Sequence, residues 1–158
     1  FSKDYAMTGW RIGAACAKGE VARAMLKIHQ YTIMSAPTPA QFAAEAALTP
    51  EGEAEVERMR QEYDRRRRFI TAGLEELGLP CSSPKGAFYV FPRIAHLGMS
   101  SEEFAQALLR EERVAVVPGT AFGECGEGFV RCTYASSLEQ LQEALARMRR
   151  FLQRRGLI

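Results

Sequence analysis

The sequence is poor in the residues that mark several classes of protein. It has two histidines and four cysteines, and no two cysteines have the spacing of a zinc or redox motif. Charged residues interrupt every apolar run well before the 18 residues that a membrane-spanning helix needs. The net charge of +2 gives no strong field that would attract nucleic acid or a membrane surface. These deficits predict a protein without a metal site and without nucleic-acid or membrane partners.

The scattered cysteines also bear on the compartment and extent of the protein. Cys16, Cys81, Cys125 and Cys132 are typical of a reduced chain, with disulfides as the alternative, and the first residues lack the apolar stretch of a signal peptide. We therefore expect a cytoplasmic protein. A natural chain rarely begins with phenylalanine, so Phe1 predicts that these residues are part of a longer protein.

The most informative stretch is residues 1–13, where a lysine precedes an arginine by eight positions. A lysine that forms a Schiff base needs a fixed amine close to an aldehyde. An arginine can hold a phosphate through two parallel hydrogen bonds. The spacing would let Lys3 take the aldehyde and Arg11 the phosphate of one ligand. The alternatives are a solvated lysine and a salt-bridged arginine in a strand.

This stretch resembles the signature of the class I and II aminotransferases, which depend on pyridoxal phosphate. The positions that carry the resemblance are Ser2, Lys3, Met7, Gly9, Arg11 and Gly13. The signature starts one position before Phe1. Residues 86–92, 114–123 and 128–135 resemble strands of the small domain in the same family, in the expected order. The resemblance thus covers nearly the whole chain.

The resemblance implies roles for four residues. Lys3 is the catalytic lysine that binds pyridoxal 5′-phosphate and carries a proton, and Arg11 binds the phosphate of this cofactor. Ser2 either donates to the same phosphate or caps a turn. Arg131 binds the α-carboxylate of the substrate. From the residues alone, Arg131 in an apolar strand could equally form a buried ion pair, because a charge there must find a partner.

Apolar periodicity and capping residues predict the elements. We expect a buried strand at 11–17 and a helix at 21–34 with an apolar face. Thr38 is expected to cap a second helix with Pro39 at its first position, and Thr49 and Pro50 to open a long helix to Leu77. Strands are predicted at 87–91, 114–117 and 129–133. Helices are predicted after Ser100, with Glu103 in a capping box, and at 137–154.

These elements predict a fold in the α/β class. The resemblance makes it a truncated fold type I of the pyridoxal-phosphate-dependent transferases. Residues 1–48 would be the end of the large cofactor-binding domain, 49–79 a helix that bridges the domains, and 80–158 a small C-terminal α+β domain. The turn at 118–123 is either a loop that approaches the site or a plain strand exit.

The resemblance further implies an aminotransferase that moves an amino group from an α-amino acid to a 2-oxo acid, usually as a homodimer. An aspartate or aromatic substrate is favoured. The isolated chain is expected to bind the cofactor poorly, since its other contacts would lie upstream. One alternative is a lyase or synthase on the same fold. The other is a non-catalytic association domain, in which the amphipathic helices pack against a partner.

Overall fold

A computed structural model describes all residues, 1–158. The chain folds into two compact units. Unit 1 is Phe1–Arg60 and unit 2 is Gln61–Ile158. The helices are α1 (Gly19–Thr32), α2 (Thr38–Ala47), α3 (Pro50–Glu76), α4 (Ser101–Glu112) and α5 (Leu138–Arg154). The strands are β1 (Tyr89–Val90), β2 (Val117–Pro118) and β3 (Val130–Thr133). The boundary between the units falls within α3, and the three-part division at 48 and 79 stays a prediction.

The predicted strand at 11–17 is wrong. These residues are irregular, and nearly all of them are exposed. A strand is stable only when its backbone groups pair with a neighbour, and all three strands of the structure lie in unit 2. The apolar run therefore lacks both the partner strand and the cover that its composition would suit.

Helix α1 forms where it was predicted, within two residues at each end, but its apolar face is not buried. Val21, Met25 and Ile28 are all exposed, as is Tyr31 at the end of the helix. The apolar spacing thus predicted the helix correctly, whereas the burial that normally goes with such a face is not found in unit 1.

The predicted cap of α2 is also wrong in its details. Pro37 occupies the N-cap position, Thr38 is the first helical residue, and no side chain caps the helix. Pro39 is therefore one position further into the first turn than expected. The Gln41 side chain donates instead to the carbonyl of Ala36, which connects the first turn to the residues before the helix.

Helix α3 begins at Pro50 and ends one residue before Leu77, close to the prediction. The left-handed Gly78 follows it (φ +70°), since glycine adopts this conformation without steric cost. The arginine run at 65–68 lies along its polar side. Its members pair with Glu62 and Asp64 at helical spacing, so two carboxylates offset part of the positive charge within the helix.

The three strands of unit 2 form an antiparallel sheet in the order β1-β3-β2. Tyr89 pairs with Thr133, and Val117 pairs with Arg131. The strands are shorter than predicted, but each lies within or overlaps the predicted range. Because paired residues share a face, Tyr89 and Arg131 lie diagonally on the same side of the sheet.

The core of unit 2 lies among β1, β3 and the helices. Fully buried side chains include Leu74, Phe104, Tyr134, Phe151 and Leu152. Phe104 of α4 and Phe151 of α5 meet edge to face with 5.4 Å between ring centres, a favoured aromatic geometry. Where α4 ends, the buried carboxylate of Glu112 pairs with Arg150 and Arg154 of α5. These contacts join the two helices.

The N-termini of α4 and α5 carry the capping boxes that their sequences encode. Ser100 accepts from the backbone of Glu103, and the Glu103 carboxylate accepts from the Ser100 backbone at 2.9 Å. Ser137 and Gln140 repeat this arrangement at α5. The Glu103 box is confirmed as predicted, because it is formed by local residues alone.

The free energy of unfolding is expected to fall as the pH drops below 4.5. Hydrogen bonds from Ser100 lower the pKa of Glu103 from its ordinary value of 4.5, and the hydrogen bond from Arg155 lowers the pKa of Glu111. A depressed pKa in the folded state gives stability that is present above the unfolded pKa and lost as pH falls through the folded pKa. Chemical denaturation at several pH values measures this slope.

The variant Glu103→Gln is expected to flatten part of that slope, because it removes one such carboxylate. Glu124→Gln, an exposed position outside the capping boxes and ion pairs, is the control and should retain the original slope. An unchanged slope in Glu103→Gln would show that its carboxylate contributes nothing to acid sensitivity.

No helix of the structure is long and apolar enough to cross a membrane.

Candidate active site

The first ten residues of unit 1 form a compact series of turns. The amide of Tyr5 donates to the carbonyl of Phe1, and that of Ala6 donates to the carbonyl of Lys3 at 3.3 Å. Met7 is buried, and a short 3-10 helix follows at Thr8–Trp10. These bonds give the segment that carries Lys3 a defined backbone.

Thr8 connects two of the predicted site residues. Its hydroxyl donates to the carbonyl of Ser2 at 2.7 Å, and its own carbonyl accepts from Nη1 of Arg11 at 3.1 Å. Arg11 has a left-handed backbone (φ +54°), which ends the 3-10 helix. The structure therefore brings Ser2 and Arg11 to the same residue, Thr8, with Lys3 next to Ser2 in the chain.

The donors at this turn are mostly uncommitted within unit 1. Lys3 is exposed, and its amine has no carboxylate partner there. Arg11 uses one hydrogen bond for Thr8, out of the five N–H groups of a guanidinium. The turn can thus offer an amine, a hydroxyl and most of a guanidinium to a ligand.

Tyr5 ties this turn to the start of α3. Its hydroxyl donates to the carboxylate of Glu53 at 3.2 Å. Desolvation, followed by the nearby negative charge of Glu53, raises the pKa of Tyr5. Tyr5 therefore stays protonated and serves as a donor that holds the turn in place.

Arg131 lies at the centre of β3 in unit 2 and is half-buried. Its guanidinium carbon is 4.3 Å from the ring centre of Tyr89 and 4.5 Å from that of Phe122. No carboxylate of unit 2 pairs with it. The expected alternative of a buried ion pair within this unit is therefore not found, and aromatic rings surround the charge instead.

Cys132 follows Arg131 in β3, but it is more deeply buried. Cys132 is buried in the core, and burial raises the pKa of its thiol to about 12. A thiol that stays protonated is a poor nucleophile. The structure records all four cysteines as free.

Sequence reasoning missed three residues at these two places: Thr8, Tyr89 and Phe122. Thr8 lies inside the signature stretch, and its small polar side chain was the available signal. Tyr89 lies in a predicted strand, but its place on the face of Arg131 follows only from the register of β1 and β3. Phe122 carried no such signal, because the course of a loop is not set by periodicity.

Comparison with known proteins identifies the class to which this fold and these motifs belong. The sequence profile of the family described as aminotransferase class I and II matches residues 1–148. The chain belongs to this family. The aminotransferase resemblance and the fold type I prediction are confirmed.

Individual relatives agree with this assignment. YugH of Bacillus subtilis is 58% identical over 152 residues, which cover 96% of this chain and 39% of that protein. Aspartate aminotransferase of Pyrococcus abyssi is 48% identical over 99% of this chain and 41% of its own length. The crystal structure of an aromatic aminotransferase from Pyrococcus horikoshii OT3 superposes with a TM-score of 0.94 at 48% identity, covering all of this chain and 42% of that one. The chain thus spans about two fifths of these relatives.

Proposed function

We propose that the whole protein that contains this chain transfers an amino group from an α-amino acid to a 2-oxo acid, with pyridoxal 5′-phosphate as its cofactor. The observation that carries the proposal is Arg131, a half-buried guanidinium without a carboxylate partner in its unit, on the strand where the family motif expects a carboxylate-binding arginine. Both substrates of such a reaction carry a carboxylate beside the reacting carbon. One arginine can therefore serve both half-reactions.

The donor set at the N-terminal turn fits this cofactor. A phosphate dianion needs several hydrogen-bond donors, and Ser2 carries a hydroxyl and Arg11 a guanidinium. Both residues bond to Thr8, Ser2 through its backbone carbonyl and Arg11 through its side chain. The aldehyde needs an uncommitted amine, and Lys3 supplies one. Pyridoxal phosphate, when bound, would act as the electron sink that stabilises negative charge at the α-carbon of the substrate.

Each residue of this chain then has a distinct task. Arg11, braced by the Thr8 carbonyl, would hold the phosphate of the cofactor. Lys3 would hold the aldehyde end, and as a free amine it can accept the proton of the substrate α-carbon. Arg131 orients the substrate by its carboxylate, so that the bond to be broken is presented consistently.

The choice of substrate is proposed from the relatives. Those with 46–48% identity are named aspartate and aromatic amino acid aminotransferases, and we propose an amino acid of one of these two kinds. Other relatives of 42–45% identity are named for a furanyl phosphate and for a diaminopimelate derivative. The named substrates therefore differ among relatives of similar identity, so the names alone favour a class of substrate and not one compound.

The remaining expectations belong to the same proposal. We infer a homodimer in the cytoplasm, supported by the family resemblance and by the four free cysteines. The division into 1–48, 49–79 and 80–158 is proposed as the end of the large domain, the bridging helix and the small domain. Helix α3 spans Pro50–Glu76 and therefore occupies nearly all of the proposed bridging segment.

Arg131→Gln in the whole protein is expected to raise KM for both the amino acid and the 2-oxo acid by about 100-fold, since a charged hydrogen-bonded pair is lost. Initial rates of oxo-acid-dependent amino transfer measure this effect. Arg110→Gln, an exposed arginine of α4 that bonds only to Gln106, is the matched control and should keep the original KM.

The same assay distinguishes the alternative activities. Release of ammonia or pyruvate without an oxo acid would indicate a lyase instead of a transferase. An Arg131→Gln variant with unchanged KM for both substrates would refute the carboxylate role.

A further inference from the structure

The guanidinium of Arg131 contacts two aromatic rings. Its central carbon lies over the rings of Tyr89 and Phe122, at 4.3 Å and 4.5 Å from their centres. Phe91 in turn meets Phe122 edge to face at 5.4 Å. The four side chains, Arg131, Tyr89, Phe122 and Phe91, form one continuous cluster in unit 2.

Contact with the two rings leaves the N–H groups of the guanidinium available for a ligand, because no hydrogen bond from Arg131 to another side chain is formed in unit 2. The five N–H groups of arginine lie in the plane of the guanidinium, and rings that contact its faces do not use them. A planar carboxylate that approaches in this plane can accept two parallel hydrogen bonds. The two rings also cover part of the half-buried guanidinium, and partial removal from water strengthens a charge interaction with a bound carboxylate.

Separate elements hold the two rings. Tyr89 is fixed on β1 by its pairing with Thr133 of β3. Phe122 ends a 3-10 helix, Gly119–Phe122, whose start is anchored by the bond from the Gly119 amide to the Phe129 carbonyl at 2.8 Å. The cluster therefore depends on both the sheet and the loop after β2, so that the position of Arg131 is not left to its own strand.

We propose that Tyr89 and Phe122 are positioning residues. They hold the guanidinium of Arg131 so that its N–H groups face the substrate carboxylate. The inference rests on the proposed function and adds the determinants of the carboxylate site. Loss of either ring leaves the charge in place but lets the guanidinium rotate, so binding of carboxylates weakens. The cofactor is held by other residues, and its affinity stays unchanged.

The test compares Phe122→Leu with the whole wild-type protein. We expect KM for the amino acid and for the 2-oxo acid to rise about tenfold, from the loss of one cation–π contact, with kcat changed less than twofold. Phe122→Tyr keeps an aromatic face and should restore the original KM. Phe69→Leu, which makes the same change at a partly exposed phenylalanine of α3, is the control.

A binding measurement gives a second readout that does not need turnover. Calorimetry with succinate and with 3-phenylpropionate, which carry carboxylates but no amine, should show an affinity about tenfold weaker for Phe122→Leu. Tyr89→Leu is the second variant and should act in the same direction. Thermal unfolding of each variant identifies one that fails to fold, and the other then decides.

The outcomes separate the two proposals. If Arg131→Gln weakens carboxylate binding but both leucine variants keep it, the positioning role is wrong and the proposed function stands. A rise in KM that Phe122→Tyr fails to rescue also overturns it. If Arg131→Gln itself changes nothing, the carboxylate site is elsewhere and both proposals fail.

Discussion

Lys3→Ala is expected to lower the rate of amino transfer by on the order of 10⁴-fold, since no other group at the turn can carry the proton. Ser2 and Thr8 provide only hydroxyl groups, and an arginine side chain does not act as a general base. The measurement is the initial rate with an amino acid and a 2-oxo acid in the whole protein. The loss should appear in kcat, because the variant leaves the proposed carboxylate site at Arg131 intact.

Three comparisons make this prediction specific. Lys27→Ala, at an exposed position of α1 outside the motif, should keep the wild-type rate. Lys3→Arg keeps the charge but cannot act as a base, and should be as inactive as Lys3→Ala. Borohydride reduction followed by peptide mapping should place the cofactor on Lys3 in the wild type. A Lys3→Ala protein with substantial turnover would disprove the role.

The parts of the fold that were predicted correctly are those encoded by local residues. Ser100 and Glu103 satisfy each other's backbone within one helical turn, so the start of α4 needs no distant partner. Likewise, Pro50 marks the start of α3 and Gly78 its end, because each residue restricts or frees the backbone by itself. Such residues favour the same helix start or end whatever the surrounding tertiary structure is.

The errors occur where the structure depends on partners. The run at 11–17 has the composition of a strand, but unit 1 has no strand to pair with it. Thr38 has the side chain of a cap, yet Pro37 takes that position and Gln41 turns to Ala36 instead. In both cases the local residues favour the predicted structure, but the neighbouring backbone does not provide the partner or the position that it needs.

The site shows the same limit. Family motifs pointed to Ser2, Lys3, Arg11 and Arg131 as candidate residues, whose roles remain proposals. The aromatic surroundings of Arg131 required the sheet register and the course of the loop after β2. An arginine in an apolar strand suggested an ion pair. The contacts of Arg131 with the rings of Tyr89 and Phe122 emerge only from the three-dimensional arrangement.

The loop after β2 also affects the stability of unit 2. Gly119→Ala is expected to lower the free energy of unfolding by about 3 kcal/mol, because the new methyl group overlaps the carbonyl oxygen of Gly126. It would also lie 2.7 Å from the carbonyl oxygen of Phe129. Both obstacles are backbone atoms, which cannot rotate away as a flexible side chain would. Urea denaturation measures the loss.

The matched control is Gly86→Ala, where a methyl group meets nothing within 4 Å and the backbone has no positive φ that would strain alanine. It should change stability by less than about 1 kcal/mol, in the stabilising direction if at all. Gly119→Ala has a further consequence, since the 3-10 helix that begins there ends at Phe122. Any population that stays folded should therefore bind succinate as weakly as Phe122→Leu does. A Gly119→Ala protein as stable as Gly86→Ala would mean that the close approach of Gly119 and Gly126 does not hold the loop, and the support of Arg131 would then come from β1 alone.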